Sequence, residues 1–116
     1  RVGDTRGGLS HRYGYAAGLA GSVPYGERYI KYDLNDFRAS VVELGKGREG
    51  SEAVFVKDPA GSSEDDGWLL AYVFDKPSGS SELLILDASE MSAEPVARIL
   101  LTARVPMGFH GSWIPF

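Results

Sequence analysis

Along this chain, apolar and polar positions alternate with a period of two over short stretches, and turn-forming residues separate the stretches. His11 to Ala17 alternates aromatic and small residues, and Tyr29 to Leu34 alternates up to a turn at Asn35-Asp36. Ser40 to Leu44 is ended by Gly45 and Gly47, and Glu52 to Val56 is stopped by Asp58-Pro59. Trp68 to Asp75 is a continuous apolar run, which predicts a strand buried on both faces. After a turn at Lys76-Pro77-Ser78-Gly79 come Glu82 to Asp87 and Val96 to Leu101, with Gly108 to Ile114 the candidate for a last strand. Ala88 to Ala93 has room for one helical turn. No long amphipathic helix is predicted. The pattern defines an all-β chain of about seven or eight strands.

A layout also recurs. Tyr32-Asp33-Leu34, a connection, then Val41-Val42-Glu43-Leu44 parallels Leu86-Asp87-Ala88, a connection, then Val96 to Leu101. A glycine-bearing loop and a further strand follow each copy, beginning at Glu52 in the first and at His110 in the second. The offset between Glu52 and His110 is 110 − 52 = 58 positions. A unit of roughly 50 residues with about four strands is the size of a β-propeller blade. Residues 1–58 are therefore expected to form one blade region and residues 59–116 the next. Propellers close with four or more blades, so the rest of the ring is expected from outside this sequence, and the piece by itself is expected to self-associate through its bare faces.

Composition narrows the function classes. Of 116 residues, 43% are hydrophobic and 24% charged, with 15 Gly, 6 Pro and a net charge of −4. No stretch collects Lys and Arg into a basic stripe, so a nucleic-acid partner is not expected. No run of about 18 apolar residues is present to span a bilayer as a helix, and the polar, glycine-rich opening does not read as a signal peptide. The absence of cysteine excludes disulfides, thiolate metal ligands and cysteine nucleophiles, and is compatible with a reducing cytoplasm, the expected location.

In a propeller, residues at equivalent blade positions converge on the central axis, and the repeat makes Glu52 and His110 equivalents. A ligating imidazole commonly donates its second ring N–H to a carboxylate. Spacing alone leaves two readings open: a metal ligand with its supporting acid, or a solvated strand end and a structural histidine. His11 reads as an ordinary strand-edge histidine. The acidic stretch Glu64-Asp65-Asp66-Gly67 lacks the ligand spacing of a calcium loop and reads as a solvated strand-entry turn. Gly3 to Gly8 has no phosphate-loop spacing. Ser112 beside His110 has no Asp placed to complete a triad. Phe109 and Trp113 read either as core aromatics or as the lining of an apolar substrate tunnel.

Several motifs together resemble the carotenoid cleavage oxygenase family. Arg104 to Pro115 (RVPMGFHGSWIP) is similar to that family's C-terminal signature, and Glu64 to Leu70 (EDDGWLL), with the strand after it and Leu84-Ile85-Leu86-Asp87-Ala88, fits as well. Glu52-Ala53-Val54-Phe55-Val56 resembles a Glu-Pro-x-Phe-Val segment with Ala53 in place of Pro. Arg12 to Ala16 and Lys31 to Leu34 also agree, so that the likeness runs through nearly the whole chain. It implies a seven-bladed propeller holding Fe(II) on its axis through four histidines, backed by outer glutamates. The implied reaction uses O2 to cleave a carbon–carbon double bond of a carotenoid, apocarotenoid or stilbene. On that resemblance His110 is a metal ligand and Glu52 the acid that orients it. With two histidines where four are needed, the chain alone is not expected to be catalytic; a non-catalytic binding module or a truncated remnant is the alternative.

Overall fold

A computed structural model describes residues 1–19, 26–92, 94–106 and 108–115. Among the described residues eight strands follow a 3-10 turn at Asp4–Arg6: β1 (Tyr13–Leu19), β2 (Gly26–Asp33), β3 (Arg38–Glu43), β4 (Arg48–Gly50), β5 (Val54–Lys57), β6 (Gly67–Asp75), β7 (Ser80–Asp87) and β8 (Ala97–Leu100). All the pairings are antiparallel, and they join the strands into one open sheet in the order β1-β2-β4-β6-β7-β8, with β3 also on β2 and β5 also on β6. Short hairpins make this meander, as the turn signals at Asn35-Asp36 and Ser78-Gly79 imply.

The two halves of the sheet meet at one backbone pair, Gly26 opposite Gly50. A side chain is excluded at position 50. A Cβ there would stand 2.1 Å from the Tyr29 hydroxyl and 2.8 Å from Leu44 Cδ1. Tyr29 is only 1% exposed, and its hydroxyl donates to the Ser51 carbonyl at 2.9 Å, so it has nowhere to go.

Strands β4 and β5 run along the same edge of β6 as one interrupted strand. Gly50 faces Val73 and Val54 faces Leu70. That is four steps on one side (54 − 50) against three on the other (73 − 70), so residues 51–53 carry one extra residue. An extra residue bends a strand and re-aims its side chains. Ser51 fills the break: its N–H donates to the Tyr72 carbonyl at 2.8 Å, and its Oγ accepts from the Tyr72 N–H at 3.1 Å. Because β5 bonds to β6, backbone pairing crosses the boundary expected near position 58.

The core lies on one face of the sheet, with Tyr15, Tyr29, Val42, Leu69, Ala71, Val73, Leu84, Leu86 and Ala88 buried together. The Phe55 ring stacks on Tyr15 with centroids 5.6 Å apart. Strand β6 departs from the expectation of burial on both faces. Leu69, Ala71 and Val73 are buried, whereas Tyr72 on the opposite face is exposed. The continuous apolar run has a different cause. Leu70, Tyr72 and Phe74 line hollows beneath the C-terminal segment, against Val105, Phe109 and Trp113, and the Arg104 guanidinium sits 4.5 Å over the Phe74 ring.

Two other expectations are corrected. Residues 88–90 form a bend and 91–92 no regular structure, so no helical turn forms; the Asp87 carboxylate takes the N–H groups of Ser89 and Glu90 at 2.8 and 3.2 Å. Ala93, the last residue of the expected turn, lies outside the described residues. Residues 108–114 form no strand. They cross the face of the sheet, and their hydrogen bonds go to side chains where a strand ladder was expected. The short strand β4 was not read from the sequence, since Arg48-Glu49-Gly50 offers no apolar alternation.

Candidate metal centre

Glu52 stands in the break between β4 and β5, on the face opposite the core, where the crossing segment passes. Its Oε2 collects three donors. The Gly111 N–H and the His110 Nδ1 lie at 3.3 Å each, and the Arg1 Nη1 lies at 2.9 Å. The structure thus brings the two residues singled out by the repeat, 58 positions apart, into contact. In the tautomer with hydrogen on Nδ1, His110 donates to Glu52 and presents Nε2 on the other side of the ring. Glu52 is mostly shielded, its side chain 26% exposed, whereas the His110 ring is 85% exposed. Partial burial pushes the Glu52 carboxyl up, but the Gly111 N–H, His110 and Arg1 together outweigh it and hold the carboxyl below the usual carboxylate range. The group is accordingly an anion at neutral pH and an acceptor for all three donors.

Phe109 and Trp113 are not core residues. Both are exposed, Phe109 at the rim of a hollow of about 200 Å³ that also touches Glu52 and His110, and Trp113 at a neighbouring one against Val54, Leu70 and Leu83. Ser112 lines the second hollow. His11 stands just before β1 with its Nδ1 3.1 Å from the Leu9 carbonyl.

The acidic loop is not the solvated turn it was expected to be. Glu64 Oε1 accepts the N–H groups of Arg12 and Tyr13 at 2.8 and 3.0 Å, which ties the loop to the start of β1. Asp65 accepts from the Lys31 Nζ at 2.6 Å; Lys31 is 7% exposed, also donates to the Ser89 carbonyl at 2.9 Å and lies over the Tyr13 ring. Arg12 grips Asp33 with two hydrogen bonds, at 2.9 and 2.7 Å. These charged motif residues form a structural clasp that joins β1, β2 and the β5–β6 loop.

Sequence reading missed Arg1. Its side chain bridges Glu52, the Gly111 carbonyl and Asp4, partners 51, 110 and 3 positions away. No local pattern signals such a bridge, because only the folded sheet brings those partners together.

As a test of the implied iron, the donor set decides. Among the described residues no three His, Cys, Asp or Glu side chains group into a metal cage. The pair His110–Glu52 fits one imidazole ligand with its supporting carboxylate, and nothing more.

Comparison with known proteins bears on the family and the fold. Residues 1–115 match the family model described as retinal pigment epithelial membrane protein. The carotenoid 9,10(9',10')-cleavage dioxygenase 1 of Pisum sativum is 39% identical over 98% of this chain, which covers 24% of that protein. The apocarotenoid-15,15'-oxygenase of Synechocystis is 33% identical over 91% of the chain and 22% of the protein. The structure of cobalt-substituted Synechocystis apocarotenoid oxygenase superposes with a TM-score of 0.89 and 33% identity, over 99% of this chain and 24% of that one. The chain therefore spans about a quarter of the length of these relatives.

The fold and the pair define a segment of a β-propeller that carries a carboxylate-paired histidine. The chain belongs to the carotenoid cleavage oxygenase family, and its all-β open sheet is that of the matching part of the apocarotenoid oxygenase propeller.

Proposed function

We propose that this chain is the part of an iron-dependent oxygenase that supplies one metal ligand, His110 through Nε2, and the acid that orients it, Glu52. The complete protein cleaves a carbon–carbon double bond of an apolar polyene, a carotenoid or apocarotenoid, or of a stilbene, using O2. The names of the relatives support the reaction class, and the contact between His110 Nδ1 and Glu52 Oε2 carries the assignment. A bound Fe(II) would supply the open coordination positions and electrons that O2 chemistry requires. The protein residues do the rest. Glu52 fixes the tautomer, so that Nε2 carries a lone pair toward the metal, and its charge raises the basicity of the ring. Phe109 offers apolar surface in the hollow that His110 also lines, and Trp113 in the neighbouring one, suited to lining the path of a polyene. The remaining ligands come from outside these 116 residues, and the isolated chain is inactive.

The test is iron content and turnover of an apocarotenoid by the full-length protein. His110→Ala is expected to abolish iron retention, and Glu52→Gln to lower affinity or activity about 10- to 100-fold. Wild-type iron content and turnover in His110→Ala would sink the reading.

A further inference from the structure

We propose that Arg1 is a positioning residue for the His110–Glu52 pair, bracing at once the carboxylate and the backbone that carries the imidazole; the inference rests on the metal-ligand reading of His110. The His110 ring is 85% exposed, so packing does not hold it. Residues 108–115 belong to no strand, so a sheet ladder does not hold their backbone either.

Hydrogen bonds to Glu52 and Arg1 hold it instead, and they close a ring. The Gly111 N–H donates to Glu52 Oε2 at 3.3 Å, the Gly111 carbonyl accepts from Arg1 Nη1, and the same Nη1 donates to Glu52 Oε2 at 2.9 Å. The residue after His110 is thereby gripped at both its N–H and its carbonyl. The other edge of the guanidinium is anchored by Asp4, whose Oδ1 accepts from Nη2 at 3.1 Å. A planar guanidinium suits this arrangement, because its donors are fixed relative to one another: seating one edge on Asp4 aims the other. A Lys ammonium on a freely rotating stem has no such second edge. The shared acceptor oxygen also places Arg1 where a shift of its side chain moves the carboxylate against which the imidazole is set.

The deciding measurement is Co(II) binding to the metal-free full-length protein, followed by its ligand-field absorption. Cobalt is suitable because a solved relative is cobalt-substituted. Arg1→Gln is expected to weaken Co(II) binding about tenfold, the lower end for residues that orient a ligand, and to change the absorption bands, while the thermal midpoint moves by no more than a few degrees, as for an exposed ion pair. Arg1→Lys is expected to remain weak; full rescue by Lys would show that charge alone matters and would overturn the bracing role. Asp4→Asn, which touches neither His110 nor Glu52, is expected to weaken binding by a smaller factor, and it decides the question should Arg1→Gln fail to fold. Wild-type affinity and spectrum in Arg1→Gln, or in Asp4→Asn where that variant decides, would overturn the inference. His110→Ala separates the two levels. Undiminished Co(II) binding there sinks the ligand assignment, whereas loss there with no change in Arg1→Gln sinks only the role of Arg1.

Discussion

Phe37, at the tip of the β2–β3 hairpin, has φ 51° and is 94% exposed. A bulky side chain in the left-handed region crowds the following carbonyl, at a cost of roughly 1–2 kcal/mol, and here burial returns nothing. The hairpin closes regardless, because Asp33 Oδ1 accepts the Asn35 and Asp36 N–H groups at 3.1 and 3.3 Å and so imposes the turn. Phe37→Gly is therefore expected to stabilise the protein by about 1 kcal/mol, readable in denaturant unfolding; unchanged or lower stability would contradict the strain. Asp33 also carries the acid sensitivity of this corner. The Arg12 guanidinium holds its carboxyl at about 2, against the pull of desolvation and with help from the two backbone N–H groups. A depressed carboxyl contributes stability that is complete above its unfolded value of about 4 and lost as pH falls through the folded value. NMR titration should place the Asp33 midpoint near 2, and Asp33→Asn should flatten the fall in thermal midpoint between about pH 4 and pH 2.

At the scale of elements, the joint between β2 and β4 is tightly constrained. Each half of the sheet is a local meander, and the one ladder pair between them is Gly26–Gly50, with the Tyr29 side chain packed over it. Gly50→Ala forces a methyl into a fully buried tyrosine and is expected to cost about 1–3 kcal/mol, the usual range for overpacking. The paired variant Gly50→Ala with Tyr29→Phe, which removes the obstructing hydroxyl but also its bond to Ser51, should recover part of that loss. No change in the denaturation midpoint of Gly50→Ala would mean that the joint is looser than its contacts imply. The strand elements themselves were largely legible in the sequence, because period-two alternation and turn residues act locally. Strand β4, the bend at 88–90 and the irregular course of 108–115 were not. The first and the last depend on partners far along the chain: β6 for the strand, and Glu52 and Arg1 for the C-terminal segment. The Asp87 carboxylate, which sets the bend at 88–90, is adjacent but leaves the same composition that a helical turn would have.

For the whole molecule, the outer strands leave apolar surface open. Val96, Ile99 and Leu100 on or beside β8, and Val41 on β3, are all exposed. Among the described residues β8 pairs only with β7, and an unpaired, apolar strand edge is a template for association. The isolated 116-residue chain is expected to self-associate at micromolar concentration, visible by light scattering or sedimentation; a monodisperse monomer with a sharp thermal transition would contradict this. By itself the sequence determined the all-β class, most strand positions and the family likeness, and it singled out Glu52 and His110 as a candidate pair. Those follow from short-range patterns and from residue chemistry, which are written in order along the chain. Only the tertiary structure decided that these two side chains touch, that the acidic loop clasps Lys31 and Arg12 where a solvated turn was expected, and that Arg1 closes the ring around Gly111. Each is a contact between residues tens of positions apart, and period-two alternation carries no information about which distant strands a sheet will bring side by side.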